Sequence, residues 1–206
     1  MKLQRALTLI LLILLASCAT LNEDECITAD WQAIGYEDGA NGLPDSRIGA
    51  HREACAKHGI TPSLSNYRDG HKEGLISFCT PRNGFNRARN GYQYKGICPP
   101  LLEPNFLDGY EAGREIYQAE SNVSELEKQQ SNNEAEQQNI EQLLQEKEAI
   151  LFARGTSETR RRAIYEEIAQ LKKRQGALEQ QRDNTIRNLT DADAWLKELR
   201  NRYSYY

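Results

Sequence analysis

The stretch "ARGTSE", Ala153 to Glu158, interrupts a long run of Glu, Gln, Lys, Arg and Leu, and its reading decides the fold. Gly155 is a helix stop, because glycine adopts the left-handed C-terminal conformation freely. Thr156 or Ser157 is a new start, because a hydroxyl accepts from the open N–H groups of a first turn. On either side, apolar residues recur at alternating steps of three and four, the period of a coiled-coil seam. The first arm reads Ile116, Ala119, Val123, Leu126, Gln130, Asn133, Gln137, Ile140, Leu144, Lys147, Leu151. The second reads Ile164, Ile168, Leu171, Gln175, Leu178, Arg182, Thr185, Leu189, Ala192, Leu196, Leu199, Tyr203.

Arms that fold back on each other must pair residues whose numbers have a constant sum. Leu144 with Ile168, Gln137 with Gln175, Gln130 with Arg182, Val123 with Leu189 and Ile116 with Leu196 all add to 312. Apolar faces apolar and polar faces polar, and such polar layers cost stability while fixing register. Charge favours the same pairing. Residues 115–152 hold nine acidic and two basic groups, whereas 157–203 hold eight acidic and eleven basic. A parallel dimer of one long helix would set like arm beside like arm and leave Gly155 unexplained. The expectation is an antiparallel hairpin whose 38-residue first arm extends roughly 55 Å at ~1.5 Å per residue. The same register places Leu199 opposite Gly113 and Tyr203 near Gly109, so the end of the second arm is expected to cover glycines there.

Twelve of the fourteen glycines lie between Gly35 and Gly113, and the grammar changes with them. "IGYEDGANG" (34–42), "NYRDGHKEGLISFC" (66–79) and "NFLDGYEAGREIY" (105–117) each put an aromatic, Tyr36, Tyr67 or Phe106, before an Asp-Gly pair. Each also carries Gly-x-x-x-Gly, at Gly35/Gly39, Gly70/Gly74 and Gly109/Gly113. Two missing side chains on one helix face permit close approach of a neighbour. Start and stop signals predict short helices over Trp31–Asn41, from Ser46 to Gly59, from Ser65 to Phe78 and from Thr80-Pro81 towards Gly91. An irregular connection with one short extended piece follows, and a long helix opens near Asn105. The fold class is therefore mainly α: a small helical domain over 18–113 and a coiled-coil hairpin over 114–206, behind a leader at 1–17.

That leader, MKLQRALTLILLILLAS, sets Lys2 and Arg5 before an apolar run and ends on small residues, the pattern of a secretory signal. "LASC" resembles the lipobox of bacterial lipoproteins, which implies that Cys18 becomes the acylated, palmitate-bearing N-terminus. Several acyl chains on one residue make a durable anchor. By resemblance to lipoprotein sorting, Ala19 after the cysteine implies the outer membrane with the chain facing the periplasm. Removing residues 1–17 takes two basic groups and no acidic ones, so 24 Lys+Arg against 30 Asp+Glu leave −6. An acidic chain of this kind is a poor nucleic-acid binder. Cys26, Cys55, Cys79 and Cys98 remain, an even number that in an oxidising compartment reads as two disulfides. Three pairings are possible and the sequence does not choose; Cys26–Cys55 with Cys79–Cys98 closes the smaller loops. With so few large aliphatics the small domain has a thin core and needs such staples.

Few residues point to chemistry. Asp38, Asp69 and Asp108 stand out because Asp before Gly is unfavourable inside a helix; they either accept hydrogen bonds for packing or share a ligand. His51, Cys55 and His58 have a zinc-like spacing, but cysteine in this compartment reads as a disulfide, and no metal or cofactor is expected. No nucleophile–base set or phosphate loop stands out, so no catalytic residue is assigned. Arg154, Arg160, Arg161 and Arg162 gather at the hairpin turn, where a basic tip could meet an anionic partner.

The motifs W-x-x-x-G-Y-x-D-G (31–39), H-x-x-x-C (51–55), Y-x-D-G-x-x-x-G (67–74), F-C-T-P-x-N-G-F (78–85) and Y-x-G-x-C-P (94–99) resemble a family of bacterial lipoproteins catalogued only as a domain of unknown function. The resemblance covers about residues 26–117. It implies a lipoprotein with this Tyr-x-Asp-Gly domain and no assigned activity; Phe106 departs from the tyrosine that would complete the third copy. The functional expectation is a non-enzymatic outer-membrane lipoprotein presenting its hairpin to a periplasmic protein or cell-wall partner. The alternative is a small-ligand or cell-wall-binding module using the Asp-Gly-rich domain. The sequence leaves the oligomeric state open.

Overall fold

A computed structural model of the chain describes residues 21–206. The expected leader and Cys18 lie outside the described residues. Among the described residues all regular structure is helical: α1 (Glu23–Ile27), α2 (Trp31–Ala40), α3 (Ile48–Ala56) after a single 3-10 turn (Asp45–Arg47), α4 (Leu64–Phe78), α5 (Pro81–Arg89), α6 (Glu103–Phe152) and α7 (Glu158–Arg202). No described helix is long and apolar enough to cross a membrane. The chain divides into two compact units, one of residues up to Asn86 with Gln93–Tyr110, the other of Arg87–Tyr92 with Glu111–Tyr206.

In the first unit the caps do what the sequence asks. Asp30 accepts from the N–H groups of Gln32 and Ala33 at 3.0 and 3.1 Å to open α2, and Ser63 caps α4. Gly42 and Gly59 follow the ends of α2 and α3 with φ of +73° and +74°. The short α1 is an addition to the expected elements, started by a reciprocal capping box between Asn22 and Glu25. The expected extended piece is absent among the described residues, and 92–102 is turn and coil. Cys26 is bonded to Cys55 and Cys79 to Cys98, the pairing that closes the smaller loops.

The centre of this unit is the packing of α2 on α4. Gly35 sits against Tyr67 and His71, and Gly39 against His71 and Leu75, so ascending numbers face ascending numbers and the helices run parallel. The contact is reciprocal, with Gly70 against Gln32 and Tyr36, and Gly74 against Tyr36 and Ala40. A Cβ on Gly35, Gly39, Gly70 or Gly74 would lie 2.0, 2.2, 1.9 or 2.1 Å from a carbonyl oxygen of the facing helix, so only glycine permits this approach. The first two repeats are each other's packing partners.

The third copy is covered differently from expectation. A Cβ on Gly109 would lie 1.9 Å from the Pro81 carbonyl oxygen, and one on Gly84 of α5 would lie 2.2 Å from that of Phe106. The backbone of α5, and not Tyr203, therefore occupies the glycine face at Gly109. Phe106 is fully buried with its ring 5.4 Å from Phe78, 4.8 Å from Tyr94 and 6.0 Å from Tyr110. An all-ring environment explains why this copy carries no hydroxyl.

In the second unit α6 and α7 form the hairpin, with Gly155 at φ +90° and Ser157 capping α7 through the Arg160 N–H. Every expected seam position is buried or half-buried. Leu151, Ile164 and Ile168 pack together with Leu144 next to the turn. Lys147 pairs with Glu167 and Arg174 with Glu136, each within two residues of the expected register. Farther from the turn, Arg200 reaches Glu120 at 3.0 Å and the Tyr203 hydroxyl donates to Glu115 at 2.8 Å. Helical side chains lean towards their own N-terminus. In an antiparallel pair two long side chains therefore meet from residues that both lie beyond the level of contact. That lean carries Tyr203 to Glu115.

Candidate functional site

The polar group most deeply set in the described chain is built around Asp38, in the first unit. Asp38 lies on α2 one residue before Gly39, and the glycine contact brings the first turn of α4 against it. Its Oδ2 accepts from the Tyr67 hydroxyl at 2.7 Å and from His51 Nε2 of α3 at 2.8 Å. One turn along α4 from Tyr67, His71 donates from Nε2 to the Leu43 carbonyl at 2.7 Å. The Tyr67 ring is stacked 5.9 Å from His71 and edge-on 6.0 Å from His51. Three helices and the 41–44 turn are thus joined through four side chains.

This group is sealed. Tyr67 is 0 % exposed, His51 4 % and His71 5 %, and the side chain of Asp38 is 13 % exposed. Burial, then the Asp38 hydrogen bond and charge, push the Tyr67 phenol well above its ordinary range. A phenol held neutral and donating to a carboxylate is a stable arrangement, not a proton source. Cys26, Trp31 and Cys55 complete the core beside Tyr67. The group ties helices together and has its hydrogen bonds turned inward.

The three Asp-Gly aspartates do not converge. Asp69 is exposed with Lys72 3.8 Å away, and Asp108 is exposed. The aromatics before them also differ, since Tyr36 is 39 % exposed whereas Tyr67 and Phe106 are buried. Of the zinc-like trio, Cys55 is held in its disulfide and His58 faces Glu23 at 3.6 Å. Among the described residues no three His, Cys, Asp or Glu side chains are grouped to hold a metal.

At the turn of the second unit the arginines divide. Arg161 binds the carbonyl oxygens of Leu151, Ala153 and Thr156 and so closes the end of α6. Arg160 lies 3.8 Å from Glu167 and Arg162 pairs with Glu158. Arg154 is exposed and forms no ion pair among the described residues. Large apolar side chains stand beside them: Phe152 is 75 % exposed, Tyr165 61 % and Ile150 41 %.

Asp38 accepts hydrogen bonds in packing, one of its two expected roles, but its partners Tyr67 and His51 are not assigned to it from the sequence. In the sequence His51 stands out only beside Cys55 and His58, and Tyr67 only as part of a repeat. A usable signal existed, since Tyr67, Gly70, His71, Gly74 and Phe78 fall on one helical face. A histidine on such a face is a buried one. No curated protein and no solved structure matches the chain significantly. Residues 30–115 match the family described as "Protein of unknown function (DUF2799)", so over that stretch the resemblance of the Tyr-x-Asp-Gly motifs to a domain of unknown function holds.

Proposed function

We propose that this chain is a non-enzymatic lipoprotein, held in the outer membrane by acyl chains on Cys18, that presents its hairpin to a partner in the envelope. The observation that carries the reading is the turn. Its seam buries Leu151 and Ile164, yet Phe152 and Tyr165 beside them stay in water. A hairpin needs neither exposed ring for its own packing, and large apolar side chains left exposed together mark contact sites. The non-enzymatic part draws on the Asp38 group, whose polar side chains are largely buried and bonded to one another and to the Leu43 carbonyl.

A pull-down from envelope fractions tests the reading, comparing the wild type with a chain lacking residues 120–190. Loss of the captured material in the shortened chain is expected; unchanged capture would place the contact in the small domain. That second outcome corresponds to a cell-wall or small-ligand module. One observation favours it, a shallow cleft of about 350 Å³ lined by Asp30, Gln32, Ala33, Tyr36, Glu37 and Glu73.

A further inference from the structure

The chemistry of the hairpin turn identifies its partner more closely. We propose that the turn docks onto the headgroup layer of an anionic phospholipid bilayer, an inference that rests on the turn being the contact end. Residues 150–165 carry Arg154, Arg160, Arg161 and Arg162 with Glu158, a net +3; Arg160 is near Glu167 and Arg162 pairs with Glu158, so exposed Arg154 is a cation there with no ion pair among the described residues. Ile150, Phe152 and Tyr165 are exposed in the same short segment. Aromatic rings beside cations suit the boundary between headgroups and acyl chains, where the ring sits in the apolar edge and the guanidinium meets phosphate.

A second feature points the same way. Bringing a helix end to a bilayer removes water from its open carbonyls, a costly step unless they are satisfied internally. Here Arg161 covers the carbonyls of Leu151, Ala153 and Thr156, and the Thr156 hydroxyl donates to that of Ile150 at 2.8 Å. Four carbonyls of the turn are thus satisfied from within it. Glycan strands would offer Phe152 no apolar layer.

The test places a reporter at the tip. The full chain carrying Phe152→Trp is reconstituted in phosphatidylcholine vesicles and mixed with vesicles of phosphatidylglycerol and phosphatidylcholine in equal parts. The emission of the parent chain, from Trp31 and Trp195, is subtracted. The emission of the new tryptophan should move to shorter wavelength with the anionic vesicles and not with phosphatidylcholine alone. Arg154→Glu should weaken that response about thirty-fold, two units of charge at about 1 kcal/mol each. An unchanged emission, an equal shift on neutral vesicles, or a shift only with purified cell wall overturns the inference. If the lipid response is absent while a photo-crosslinker at the tip still captures a specific envelope protein, the inference fails and the contact reading stands. If both are absent, both fail.

Discussion

Gly70→Ala is the perturbation that probes the small domain most sharply. The added methyl would lie 1.9 Å from the Gln32 carbonyl oxygen, where ordinary contact begins at 3.4 Å, so α2 and α4 must part by about 1.5 Å. The obstacle is backbone, which cannot swing aside. Overpacking of this kind costs about 2 kcal/mol. The same displacement stretches the 2.7 Å bond between Tyr67 and Asp38 past useful geometry, and losing a hydrogen bond to a buried charge costs about 2 kcal/mol more. Alanine returns roughly 1 kcal/mol of helix propensity, leaving a net loss of about 3 kcal/mol. Gly176 is the control, for it is helical and a Cβ there meets nothing within 4 Å. Gly176→Ala should therefore stabilise α7 by roughly 1 kcal/mol. Urea unfolding of the oxidised chain, followed by Trp31 fluorescence in a Trp195→Phe background, reads the first. Its midpoint should fall by roughly 1–3 M for a slope of about 1–3 kcal/mol/M. Helical circular dichroism reads the second. If Gly70→Ala were neutral or stabilising, as Gly176→Ala should be, the reciprocal glycine contact would be refuted.

Other outcomes follow from single groups. Asp38→Ala strands the Tyr67 hydroxyl and a His51 N–H in the core and should cost about 2–4 kcal/mol in the same urea assay, whereas Asp69→Ala should stay within about 0.5 kcal/mol. Tyr67 is held neutral in the fold, so its folded pKa exceeds the unfolded one. Its contribution to stability is full below the unfolded value of about 10 and declines as pH rises above that. Tyr67→Phe should flatten that alkaline decline in pH-dependent urea curves, and an unchanged slope would exclude Tyr67 as its source. Asn133 is 5 % exposed in the seam with no partner for its amide nitrogen. Asn133→Leu should raise the thermal stability of the hairpin by about 1–3 kcal/mol, and a loss would mean that the amide is satisfied after all.

The parts of this fold that were legible in advance are those governed by near neighbours in the chain. The heptads of 116–151 and 164–203, the stop at Gly155 and the caps at Asp30 and Ser157 are local, and each lies where the pattern put it. The disulfides were one of three choices that local loop length could rank but not decide. The pairing of α2 with α4 was hidden for a physical reason. The eye aligns Tyr36 with Tyr67 through Tyr-x-Asp-Gly, but the contact aligns Gly35 with Gly70 and Gly39 with Gly74. The written repeat and the packing repeat have different spacings. The Asp38 group was hidden because its members come from three helices, and only the glycine contact brings them together. Likewise the arginine run at the turn read as uniformly available, while tertiary geometry commits Arg161 to carbonyls.

The most direct test of the hairpin as contact arm is site-specific photo-crosslinking in intact cells. The crosslinker replaces Phe152 at the turn in one chain and exposed Asp69 on α4 in another, and adducts are identified by mass spectrometry. The account predicts adducts from position 152, lost when Arg154 and Arg162 are both changed to Glu, and none from position 69. Adducts from position 69 with none from 152 would contradict it and assign the contact to the Asp-Gly-rich domain.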